Sequence, residues 1–98
     1  MNGNRPKILW ADDEIDLLKP HIMFLESKGY DVTTANSGVD ALHSIEKSPF
    51  DLVILDENMP GITGLETLTR IKVEKPHIPV IMITKKRGGK YYGSGCGQ

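Results

Sequence analysis

The chain predicts a doubly wound α/β domain built on a parallel sheet, and three observations carry that prediction. Uninterrupted apolar runs recur at Lys7 to Ala11 (KILWA), Leu52 to Leu55 (LVIL) and Val80 to Ile83 (VIMI). Segments with apolar residues at helical spacing lie between them, and Gly or Pro closes each segment. A strand that is apolar on both faces belongs in a sheet covered by helices. Strand and helix in alternation force parallel strands joined by right-handed crossovers.

Each element has its own local reason. Ile15, Leu18, Ile22 and Leu25 follow a 3-4-3 spacing that predicts the first helix, with Gly29 as its stop. Pro20 falls inside that segment, where a proline is either close enough to a helix start to be tolerated or kinks the helix. Asp31 to Ala35 (DVTTA) is β-branched but more polar than the other strands, as an edge strand is. Ser37 with Asp40 opens a second helix through Ala41, Leu42 and Ile45, and Pro49 ends it. Thr63 with Glu66 forms a capping box ahead of Leu65, Leu68 and Ile71, and Pro76 closes that helix. The order β-α-β-α-β-α-β leaves no room for a linker, repeat or second domain before residue 84.

The size, 98 residues with 39% hydrophobic and 26% charged content, suits one small domain. Such a domain buries roughly 60 to 70% of its unfolded surface. No apolar run approaches the roughly 20 residues of a membrane span, and Met1 to Lys7 lacks the apolar stretch of a signal peptide, so a cytoplasmic location and no membrane partner are expected. Cys96 is the single cysteine and cannot pair within the chain. The net charge of -1 conceals a division: residues 1 to 84 hold 13 acids against 8 Lys plus Arg, whereas residues 85 to 98 hold 4 Lys plus Arg and no acid. The segment 85–98, KKRGGKYYGSGCGQ, has five glycines and no hydrophobic period, so it reads as a disordered or loosely attached basic tail on a folded domain spanning 1–84, with a short extended stretch at Tyr91 and Tyr92 as the less favoured alternative. It carries no recognisable nucleic-acid module, and no nucleic acid is expected as a partner.

The chemistry gathers at strand ends. In a parallel sheet the strands all end on one rim, so residues just after them converge there. Asp12 and Asp13 follow the first strand, Asp56 the third and Thr84 the fourth. Two bare carboxylates about 4 Å apart repel by roughly 4 kcal/mol at an effective dielectric near 20. A group of three either takes up protons or binds a cation. All-oxygen ligands select a hard ion, and Mg2+ with several retained waters is the commonest choice. Taken singly, Asp12 and Asp13 are ordinary helix-start acids, Asp56 an ordinary turn residue and Thr84 an ordinary strand-end residue. Their company is what favours a site. His21, His43 and His77 are scattered and lack ligand spacing, and Trp10 reads as core.

Around these residues the sequence reads ILWADDE at the first strand, LDENMPGITG at the third and VIMIT at the fourth. With these motifs in this order, residues 7 to 84 resemble the receiver domains of two-component response regulators, which have a flavodoxin-like, chemotaxis-type fold. The WADDE and DENMPG stretches look closest to regulators carrying a PglZ-type effector. The resemblance implies that Asp56 accepts a phosphoryl group from a sensor histidine kinase. It implies that Asp13 and Asp56 bind Mg2+ directly, that the backbone carbonyl of Asn58 adds a ligand, and that Asp12 acts mainly through a coordinated water. It also implies that Thr84 hydrogen-bonds the attached phosphate, and that the domain is a signalling phosphoacceptor, with no enzyme activity beyond its own phosphorylation and dephosphorylation.

The chain also departs from that family. A full receiver continues past the fourth strand through a helix, a fifth strand bearing a phosphate-contacting lysine and a last helix, whereas fourteen residues follow Thr84 here. The expectation is a truncated receiver lacking the last helix-strand-helix portion, with impaired signalling. No lysine among Lys85, Lys86 and Lys90 is assigned the missing role. A fourth strand left as a bare edge invites contact with a second copy, so a homo-oligomer through that strand is expected. Two other functions stand against the phosphoacceptor: an Mg2+-dependent phosphohydrolase of the haloacid dehalogenase type, which places its first acids as D-x-D rather than adjacent, and an inert α/β structural module.

Overall fold

In a computed structural model of the protein, which describes residues 5–86 and 90–92, the elements run β1 (Lys7–Ala11), a 3₁₀ helix (Ile15–Leu18), α1 (Lys19–Ser27), β2 (Asp31–Ala35), α2 (Gly38–Lys47), β3 (Leu52–Asp56), α3 (Gly64–Glu74), β4 (Val80–Lys86) and β5 (Lys90–Tyr92). The sheet order is β2-β1-β3-β4-β5. β1, β2, β3 and β4 are mutually parallel. This is the predicted doubly wound, flavodoxin-like layout. Its order reverses between β1 and β3, the place where open α/β sheets bind ligands.

The caps behave as their chemistry requires. The Ser37 hydroxyl accepts from the Asp40 N–H at 3.1 Å and starts α2. Thr63 and Glu66 complete the reciprocal box at α3, at 3.1 and 3.2 Å. Pro20 resolves the ambiguity of the first helix by dividing it. Residues before it form the 3₁₀ helix, and α1 begins with the proline in its first turn, where its missing N–H costs no helical bond.

Strand alternation assigns the two sheet faces. Leu9, Ala11, Ala35, Val53 and Leu55 pack with Ala41 and Ile45 of α2, Ile71 of α3, and Phe50, Met59 and Ile78 in one buried cluster. Each fully buried Leu or Ile there contributes about 1.5–3 kcal/mol relative to exposure. The other face carries Ile8 and Trp10, both buried. Trp10 and Ile54 line a groove of about 350 Å³ together with Pro20, His21, Phe24 and Leu25 of α1. Among the described residues the buried Trp10 indole N–H has no hydrogen-bond partner. His21, His43 and His77 are all exposed, as scattered histidines without ligand spacing should be.

Two expectations about the chain beyond the core need correction. The fourth strand does not stop at Ile83 but runs on to Lys86. The basic tail is not structureless throughout, because Lys90–Tyr92 forms β5, antiparallel to β4 with Thr84 opposite Tyr92 and Lys86 opposite Lys90. Aromatic residues favour strands, and the unpaired N–H and C=O groups of an edge are a template for them. The β4 edge is therefore covered from Thr84 to Lys86, whereas among the described residues Val80 to Ile83 pair only with β3. Cys96 and the rest of the tail lie outside the described residues.

Candidate functional site

β1 ends where its core alternation ends, at Ala11, and the chain turns at once. The Asp12 N–H still donates to the Ala35 carbonyl of β2 at 3.0 Å, so Asp12 stays fixed to the sheet. Its carboxylate accepts from the Glu14 N–H at 2.8 Å, and its carbonyl accepts from Ile15 at 3.1 Å as the 3₁₀ helix begins. This turn leaves Asp12 1% exposed and Asp13 exposed at the rim.

Asp56 is the last residue of β3, in register with Ile83 of β4, and is 2% exposed. The Glu57 N–H prolongs the ladder by donating to the Ile83 carbonyl at 2.9 Å. The loop beyond it is anchored by Met59 in the core and returns to the strand end, where the Gly64 N–H donates to the Glu57 carbonyl at 3.1 Å.

The result is a cluster of three carboxylates. One oxygen each from Asp12, Asp13 and Asp56 can be chosen so that all lie within 4.8 Å of one another. At that separation each charged pair repels by about 3–4 kcal/mol at an effective dielectric near 20. Two members are buried, so water can screen the cluster only from the Asp13 side. An all-oxygen, highly anionic, half-open donor set is what a hard divalent ion requires, and the residues present fit Mg2+.

The structure brings Asp12, Asp13 and Asp56 together. Asn58 stands in the exposed loop two residues beyond Asp56. Thr84 follows Ile83 directly, within β4 rather than after it, and its hydroxyl donates to the Glu57 Oε1 at 2.8 Å. Glu57 is the residue that sequence reasoning passes over. Its only signal is position, since a residue prolonging β3 by one step must lie beside the residue that follows Ile83.

Comparison with known proteins agrees with this geometry. The profile of the response regulator receiver domain matches residues 8–94. The CpxR homolog of Haemophilus influenzae, a transcriptional regulatory protein, is 41% identical over 80 residues, covering 82% of this chain and 34% of that protein. The transcriptional regulatory protein ZraR of Escherichia coli is 40% identical over 84 residues, covering 86% of this chain and 19% of its own length. The chain thus spans about a third or less of these curated relatives. Among solved structures, the chemotaxis response regulator CheY4 of Vibrio cholerae superposes with a TM-score of 0.78 at 32% identity, covering 86% of this chain and 72% of that one. TrrA of Thermotoga maritima, in complex with Mg(2+)-BeF, gives 0.77 at 36% identity, with 85% and 72% covered. The phosphohydrolase and inert-module readings gain no support from these matches, and the likeness to PglZ-effector regulators rests on the WADDE and DENMPG stretches alone. The chain belongs to the response regulator receiver family, the phosphoacceptor domains of two-component signalling.

Proposed function

We propose that Asp56 is the residue of this receiver that takes the phosphoryl group, and that Asp12, Asp13 and Asp56 hold Mg2+ together with the backbone carbonyl of Asn58. The observation that carries this reading is the meeting of the three carboxylates within 4.8 Å at the switch point of the sheet. A bound Mg2+ supplies positive charge that offsets the phosphate and polarises its oxygens. The chain's residues do the rest. An oxygen of Asp56 attacks the phosphorus of a phosphohistidine on a sensor histidine kinase, the N–P bond breaks, and the imidazole leaves with the electron pair and takes a proton. Asp56 is held for that attack from two sides, by the β3–β4 ladder and by the packing of Gly64 against its carbonyl. Asp12, fixed by the Glu14 N–H, and Asp13, open to solvent, bracket the approach. The Thr84 hydroxyl donates a hydrogen bond to an oxygen of the attached phosphoryl group, and that pull is the conformational signal.

The wider assignments rest on the same reading. Residues 1–84 act as the receiver unit and 85–98 as a basic extension, contributing no nucleic-acid site. No helix among the described residues is long and apolar enough to cross a membrane, and a cytoplasmic site of action suits a partner kinase. The chain is a phosphoacceptor rather than an enzyme acting on other substrates. A second copy docks along the Val80–Ile83 edge of β4, where Ile81 is 44% exposed.

Intact-mass measurement after incubation with acetyl phosphate and Mg2+ tests the assignment of Asp56. The parent gains one phosphoryl unit and Asp56→Asn gains none. An adduct that persists in Asp56→Asn removes Asp56 from the role.

A further inference from the structure

We infer that Glu57 is a positioning residue that governs how readily Thr84 engages a phosphoryl group, an inference that rests on the role given to Thr84 above. Glu57 directly follows the acceptor Asp56, and its N–H bond to the Ile83 carbonyl, 2.9 Å, keeps it beside the residue after Ile83. That residue is Thr84, whose Oγ1 donates to the Glu57 Oε1 at 2.8 Å. A threonine hydroxyl carries one proton and so makes one donated bond at a time. The Thr84 proton goes to Glu57 or to the phosphoryl oxygen, never to both.

The two acceptors also oppose each other electrostatically. A phosphoryl group brings about -1.5 to -2 charges to the rim on which the Glu57 carboxylate already stands. Bonds to an ionised acceptor are stronger than neutral ones, so Glu57 is a real competitor for the hydroxyl. Glu57 is exposed, so once released it is solvated by water at little cost. The switch is therefore an exchange of acceptors on one hydroxyl, and the resting acceptor lowers the affinity of the site for the phosphorylated state. Mg2+ alone does not call on the Thr84 hydroxyl, so it does not feel this exchange.

A double-mutant cycle on the full chain tests this, using beryllofluoride with saturating Mg2+ to stand in for the phosphoryl group on Asp56. Binding is read from the fluorine resonance of bound beryllofluoride, with the affinity for Mg2+ alone measured in parallel and folding checked by urea titration. Relative to the parent, Glu57→Ala binds beryllofluoride about three- to tenfold more tightly after correction for any change in Mg2+ affinity, and the gain disappears in the Thr84→Val background. Glu57→Gln, which keeps an acceptor oxygen but loses the charge, falls between the parent and Glu57→Ala. Equal gains with and without the Thr84 hydroxyl, or a Glu57→Gln variant as tight as Glu57→Ala, assign the effect to bulk charge and overturn the inference. Absence of any gain overturns it as well. Failure of the underlying reading looks different: a folded, Mg2+-bound parent that binds no beryllofluoride sinks the phosphoacceptor site, and a Thr84→Val change without effect in the Glu57→Ala background sinks the role of Thr84.

Discussion

Gly64 stands so close to Asp56 that a Cβ on it would lie 2.3 Å from the Asp56 carbonyl oxygen and 2.9 Å from the Glu57 Cα. Both atoms belong to backbone, so no side chain can swing away to make room. The first turn of α3 thus presses on the strand end that carries Asp56, and only glycine permits that approach.

Gly64→Ala is expected to destabilise the fold by about 1–3 kcal/mol despite the better helix propensity of alanine, and to weaken Mg2+ binding by displacing Asp56. Gly29→Ala makes the useful contrast. Gly29 has open space around it but a φ of +99°. Its substitution should cost about 1–2 kcal/mol of backbone strain and leave Mg2+ affinity unchanged. Urea unfolding with and without Mg2+ separates the two cases.

Asp13→Asn should change stability in opposite directions depending on the metal. Without Mg2+ it relieves repulsion in the cluster and stabilises by about 0.5–1 kcal/mol, a small figure because Asp13 is exposed and water screens it. With Mg2+ present the parent gains stability by mass action, about 2.7 kcal/mol at a hundredfold excess over its Kd, and the variant gains less. Thermal melts in EDTA and in Mg2+ should therefore cross, with the variant higher in the first and lower in the second. Melts that shift the same way in both media would place Asp13 outside the cation site.

The caps give a prediction independent of the site. Thr63→Ala removes the acceptor for the Glu66 N–H while the backbone N–H of residue 63 still donates to the Glu66 side chain, and should cost about 1 kcal/mol. Ser37→Ala at α2 should cost a similar amount by urea titration, about 1 kcal/mol.

Self-association through β4 is checked by sedimentation velocity at tens of micromolar. The parent should sediment as a dimer or larger, and Ile81→Lys, which puts a charge on the proposed edge, as a monomer. A parent that is monomeric at that concentration rules out the β4 edge as an interface.

Much of this molecule is legible in the residues because its local signals agree with one another. KILWA lies almost wholly buried and LVIL in large part, whereas VIMI, read as equally covered, keeps Ile81 44% exposed and has none of its residues fully buried. Ser37 and Thr63 sit where their hydroxyls cap α2 and α3. Parallel strands then oblige Asp12, Asp13 and Asp56 to share a rim before any distance is known. The features that stay hidden depend on contacts between distant residues. Pro20 is compatible with a kink or a start, and only the packing of the turn after Asp12 decides for a start preceded by a 3₁₀ helix. Lys90–Tyr92 lacks a hydrophobic period of its own and becomes a strand because β4 offers an edge. Glu57 looks in sequence like one more loop acid, since its meaning comes from Thr84, 27 residues away.

On the proposed reading, acids from the ends of β1 and β3 hold one divalent ion in common. Amide NMR spectra recorded with substoichiometric Mn2+ as a paramagnetic stand-in for Mg2+ put this to the sharpest test. Signals around Asp12–Asp13 and around Asp56–Glu57 should broaden together, recover together when Mg2+ is added, and both be spared in Asp13→Asn and in Asp56→Asn. Broadening at one segment without the other, or broadening at both that survives either substitution in a folded protein, would show that the two strand ends share no ion.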